Sequence, residues 1–219
     1  MSPEEFEESE VDPADWTEED WNTFLERAEL MALKYEELFE TLKDDPCRER
    51  KIAEELGWNH LIEECRSENR RCDACEAREE CYPRFQVPVL DAAQPVYSSF
   101  EDIPAFQNAR EFFSIVQRHV NQEDGGEEER RLLHAASLAP AMIASGHTLG
   151  YGRATLCGNI AQCKRALLCV EEALEIIDEL RARQALAPAE GLSLAAEARS
   201  LYAAIENWVD DLRRKKWWH

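Results

Sequence analysis

The second half of the chain repeats one pattern: apolar residues return every three or four positions. Ile160, Cys163, Leu167, Val170, Leu174 and Ile177 are spaced 3, 4, 3, 4, 3, and Leu194, Ala198, Leu201, Ile205, Trp208 and Leu212 are spaced 4, 3, 4, 3, 4. A helix turns once in about 3.6 residues, so these intervals place each set on one face of a helix. Phe106, Ala109, Phe112, Phe113, Val116 and Val120 make a third stripe. After the turn residues Asp124, Gly125 and Gly126, a further helix is expected over residues 127–149, bent at Pro140. The next is expected over residues 153–184, and Pro188 restarts the chain for the last. Strand signals are nearly absent, which argues against a Rossmann or barrel fold. The expected fold class is all-α, with an up-and-down four-helix bundle over residues 102–219.

The first half reads as a helical arm. Residues 1–15 hold many acids and no base, and are expected to be a disordered lead-in. Thr17 and Asp20 have the spacing of a capping box, and Trp16 and Trp21 that of a hydrophobic staple. Apolar residues follow at helical intervals from Trp21 and Phe24 to Phe39 and Leu42. Asp45 and Pro46 open a short helix that Gly57 stops, and another is expected from Asn59. The arm spans residues 16–82. Pro83, Pro88 and Pro95 then mark an apolar, extended connector over residues 83–101.

Acids outnumber bases 46 to 25, for a net charge of −21. Phosphate backbones and anionic membranes both recruit Lys and Arg, so nucleic acid and membrane are not expected partners. No stretch approaches the roughly 20 apolar residues of a transmembrane helix. The acidic start MSPEEFEESEVDPADW lacks a basic region and an apolar core, so no signal peptide is read and a cytoplasmic location is expected. Thiols there stay reduced, which makes the eight cysteines metal ligands, reactive groups or small hydrophobes before disulfides.

Four of those cysteines fall within residues 65–81, as Cys65-x6-Cys72-x2-Cys75-x5-Cys81. A tetrahedral ion needs convergent soft ligands, and a CxxC turn supplies two at once. Zinc (Zn) in a structural role is the first expectation for Cys65, Cys72, Cys75 and Cys81. Cys47 or His60 can stand in as a ligand, and the alternative is unliganded thiols on a charged turn. The stretch Cys72-x2-Cys75-x5-Cys81 resembles the last three cysteines of the iron–sulfur nucleases of the RecB and CRISPR-associated families. That resemblance implies an Fe-S cluster as the second expectation. The nuclease core of strands with Asp and Glu-x-Lys is not recognisable, so no activity is carried over. Cys157, Cys163 and Cys169 are six apart, about 240° around a helix, and do not share a face.

Gly146, Gly150, Gly152 and Gly158 cluster at the junction of two helices with His147, Tyr151, Arg153 and Asn159. Two readings stand. The glycines can serve a tight αα-hairpin, as a helix C-cap and as close-packing points. Alternatively the polar residues form a small site in which His147 and Tyr151 bind or transfer a proton and Arg153 holds an anion. His147-Thr148-Leu149 before a glycine resembles the phosphorylated motif of histidine phosphotransfer domains, which are also four-helix bundles. That family carries Lys three residues after the histidine and Gly four after, where this chain has Gly150 and Tyr151.

No HExxH, Walker loop or GxSxG is present in the sequence. The expected function is a non-enzymatic protein-interaction or regulatory module with a structural metal knuckle. The rival is an enzyme or small-ligand binder using residues 146–159. The tail Arg213-Arg214-Lys215-Lys216-Trp217-Trp218-His219 suits a helix end, a partner contact, or a fold-back onto the acidic N-terminus. The apolar seams can bury within one chain or across a homodimer.

The knuckle is checked by elemental analysis of protein purified under reducing conditions. We expect about one zinc per chain, lost when Cys72 and Cys75 are both changed to Ser. A brown protein absorbing near ~400 nm identifies an iron–sulfur centre instead.

Overall fold

Thr17 opens the first helix by a reciprocal cap. Its hydroxyl accepts from the Asp20 N–H at 3.2 Å, and its own N–H donates to the Asp20 carboxylate at 2.9 Å. Trp16 and Trp21 close the staple, with ring centroids 5.2 Å apart in an edge-to-face pair. The computed structural model describes residues 15–58, 97–120 and 126–216. Among these residues the regular elements are all helical and no strand occurs. We label the helices α1 (Glu18–Thr41), α2 (Arg48–Leu56), α3 (Pro104–His119), α4 (Glu127–Leu149), α5 (Leu156–Ala182) and α6 (Pro188–Arg214), with a short 3-10 turn at Phe100–Asp102 before α3. No helix among the described residues is long and apolar enough to cross a membrane.

The chain divides into two compact units, Met1–Asn22 with Leu90–His219, and Thr23–Val89. In the larger unit α3 packs on α4, α4 on α5 and α5 on α6, and α3 also touches α6. The stripe read for α6 is the buried one: Leu194, Ala198, Leu201, Ile205, Trp208 and Leu212 are all inside. In α5 the centre of burial is shifted. Ala166 and Ala173 are fully buried, while Leu167 and Leu174 flank the core. Alanines on the seam let neighbouring helices come close, and the leucines then fill the edges. From Leu156 to Cys163 every residue of α5 is buried, so its first two turns are covered on all sides. Pro140 sits inside α4 and the helix runs through it.

In the smaller unit α2 ends at Gly57, whose φ of +74° is left-handed. Trp58 N–H donates to the Ala53 carbonyl at 2.7 Å and Gly57 N–H to that of Glu54 at 3.3 Å, the paired bonds of a Schellman end. Ile52, Ala53 and Leu56 are buried. The Tyr35 ring stacks on Phe39 and Trp58, and the Arg48 guanidinium lies 4.1 Å over Phe39. Lys34 donates to the Glu55 carbonyl at 2.8 Å. Beyond Asn22, the apolar stripe read along α1 is largely open: Phe24, Ala28, Ala32, Tyr35 and Phe39 are exposed, and Leu25, Leu38 and Leu42 are half-buried. Among the described residues its cover is α2, nine residues against the 24 of α1.

The contrast between seam and surface is measurable. Leu201→Ala, at a fully buried position, is expected to cost ~2–5 kcal/mol in urea unfolding. Leu168→Ala, on an exposed face of α5, is expected to change stability by under ~0.5 kcal/mol.

Candidate functional site

The hairpin between α4 and α5 is built on close backbone approach. A Cβ on Gly146 would stand 2.7 Å from Asn159 Oδ1 and 3.0 Å from the Asn159 carbonyl oxygen, so only a bare backbone fits. Gly150 follows the last residue of α4 with φ +112°, and its N–H donates to the Gly146 carbonyl at 3.3 Å. The chain then turns through residues 151–155, where the N–H groups of Thr155 and Leu156 both donate to the Gly152 carbonyl. This turn uses residues expected to be helical, and α5 begins at Leu156 rather than at Arg153.

That geometry drives Asn159 inward, where it is 1% exposed. Its Nδ2 donates to the Gly150 carbonyl at 3.1 Å and so satisfies a backbone group left open where α4 ends. Its Oδ1 accepts from the Cys163 thiol at 3.6 Å. Burial pushes that thiol up to about 12, so it stays protonated and is no nucleophile.

His147 and Tyr151 pair one helical turn apart, with Nδ1 and the phenolic oxygen 2.8 Å apart. Burial pushes the Tyr151 hydroxyl up to about 12, with the Asn159 amide pulling weakly the other way. Burial also holds the His147 imidazole below its ordinary value. A neutral imidazole and a protonated phenol share this one hydrogen bond, and the imidazole tautomer sets which of the two donates. Phe100 flanks the imidazole edge-to-face at 6.3 Å.

The structure therefore brings His147, Tyr151 and Asn159 together and leaves Arg153 outside. Arg153 is exposed, and its guanidinium is held by Asp15 at 2.8 Å. The phosphohistidine resemblance lacks that family's lysine, since Gly150 stands in its place. Cys65, Cys72, Cys75 and Cys81 lie outside the described residues. Among the described residues no group of three or more His, Cys, Asp or Glu side chains could hold a metal ion.

A second cluster joins the start of α1 to α5 and α6. Arg213 grips Glu18 with two nitrogens, Nε at 3.1 Å and Nη2 at 2.8 Å, while Lys164 and Lys216 stand 3.7 and 3.8 Å away. Burial pushes the Glu18 carboxyl up, but the Arg213 hydrogen bond and the three positive charges outweigh it, and the carboxyl lies below its usual range. Three residues on, Trp21 is buried against Gly158: a Cβ there would be 2.7 Å from the indole. Lys164 carried no sequence signal for this role; Gly158 was read as a close-packing point, and what packs on it is the Trp21 indole. The tail bases did, as a fold-back onto the acidic N-terminus, and Arg213 and Lys216 make that contact.

Comparison with known proteins found no matching family model, no matching curated protein and no matching solved structure.

Tyr151→Phe removes the hydrogen-bond partner of His147 Nδ1 and is expected to cost ~1–2 kcal/mol in urea unfolding. The depressed imidazole predicts a pH effect. The folded protein binds less proton than the unfolded chain, so the His147 contribution is complete above about pH 6.5 and is lost as the pH falls through the lowered value. His147→Gln is expected to flatten stability against pH in that window.

Proposed function

We propose that this chain is a non-enzymatic protein-interaction or regulatory module of the cytoplasm. In this reading α3 to α6 form an up-and-down four-helix bundle, and Cys65, Cys72, Cys75 and Cys81 form a structural zinc knuckle outside it. The supporting observation is the closed hairpin. Tyr151 and Asn159 are buried, and the Tyr151 hydroxyl, His147 Nδ1, the Asn159 amide and the Cys163 thiol are directed at one another or at the Gly150 carbonyl. A site for a small substrate needs convergent polar groups facing an open space. Here the convergent groups are each other's partners, which weighs against the rival reading of residues 146–159 as an enzyme centre.

The terminal aromatics are the natural partner contacts of such a module. Removing residues 213–219 outright would also release Glu18 from Arg213 and Lys216. A narrower change separates binding from folding. Replacing Trp217 and Trp218 by Ala, with residues 213–216 kept, is expected to weaken partner capture by about tenfold or more while the unfolding midpoint stays unchanged. Unchanged capture would remove the tail from the binding surface.

A further inference from the structure

The contacts at the start of α1 have the composition of a ligand and its site. Two side chains of the segment reach inward, Glu18 and Trp21, and they sit three residues apart on one face of the helix. The site that receives them comes from α5 and α6. Lys164 and Arg213 from those helices, with Lys216 just beyond α6, surround the carboxylate, and the bare backbone at Gly158 admits the indole. The neighbouring acids Glu19 and Asp20, and Thr17, face solvent. Asp15 adds an exposed pair to Arg153 at the rim.

Two features mark this as recognition rather than ordinary packing. Bases are scarce in the chain, 25 against 46 acids, yet three of them converge on one carboxylate. Arg213 meets that carboxylate with two parallel nitrogens, the geometry that makes arginine selective for carboxylates, and Asp210 stands 3.8 Å away on its other side. The indole is the second anchor, a large aromatic in a notch that any side chain at position 158 would close. At physiological salt, charges beyond about 8 Å are screened, so these local cations outweigh the chain's overall acidity for a bound segment.

We propose that α5 and α6 carry a docking site for a helix start bearing an acid and, three residues later, a tryptophan, and that residues 15–22 are its built-in occupant. A partner presenting the same acidic and aromatic chemistry displaces them. This inference rests on the interaction-module reading and names the surface and the class of partner.

The test uses the full chain with its own ligand removed, Glu18→Gln with Trp21→Ala. A labelled peptide covering residues 13–24 is titrated by fluorescence anisotropy. The peptide should bind this variant about tenfold or more tightly than it binds the unaltered chain. Adding Arg213→Ala to the variant should abolish the gain, and a peptide carrying the same Gln and Ala changes should not bind. No binding to a variant that keeps its helical circular dichroism would overturn the proposal. Should the double variant lose helicity, Glu18→Gln alone is titrated under the same two criteria. An unaltered chain that forms a dimer abolished by Glu18→Gln with Trp21→Ala would make the occupant a second copy and overturn the partner assignment. Failure of the peptide with capture through Trp217 and Trp218 intact would defeat this site and leave the interaction-module reading standing.

Discussion

Bare backbone at Gly146 against Asn159 sets the distance between α4 and α5, and much of the larger unit depends on that distance. With a side chain at position 146 the two helices would have to separate, and the amide of Asn159 could no longer close the end of α4. Tyr151 and the thiol of Cys163 are buried as well, and that burial is the main cause of their raised values. Elsewhere on the seam Ala135, Ala136 and Ala139 of α4 and Ala166 and Ala173 of α5 are buried among larger residues. Small residues where helices approach and large ones at the flanks yield a dense core without strained rotamers.

The polar residues divide into two kinds of site with opposite character. At the hairpin, neutral groups satisfy one another: a phenol pairs with an imidazole, a thiol donates to an amide, and an amide donates to a carbonyl. At the start of α1, fully charged groups meet, and their attraction exceeds the penalty of partial burial for Glu18. The first arrangement is a locked joint. The second is held by salt-sensitive forces and two anchors, which is why displacement is the natural question to ask of it.

Local signals were legible wherever the physics is local. The cap at Thr17 and Asp20, the tryptophan staple, the left-handed stop at Gly57 and the span of α4 follow from side-chain chemistry within a few residues. The start of α5 was less legible. Residues 153–155 have nothing against a helix in their composition, but Gly152 offers its carbonyl to two N–H groups and holds the chain in a turn. The α5 seam was read around its leucines because spacing alone does not say how close the neighbours come. The exposure of Phe24, Tyr35 and Phe39 among the described residues was equally hidden, since an apolar stripe predicts a preference for cover and not where that cover comes from.

The candidate site shows the same division. His147, Tyr151 and Asn159 were flagged by their proximity in sequence to a glycine cluster, and the structure joins them because one helical turn and one tight hairpin suffice. Arg153 was flagged with them, yet a long flexible cation on the surface takes the nearest acid, here Asp15 from 138 residues away. By itself the sequence determined that the described residues are helical, where α1 begins, where α2 stops and where α4 begins and ends, and that the chain is acidic, because periodicity, caps and charge act over short distances. Only the tertiary structure decided which polar groups face each other. Glu18 meeting Arg213 across 195 residues, and Trp21 meeting Gly158, depend on how helices pack, and no local pattern encodes that.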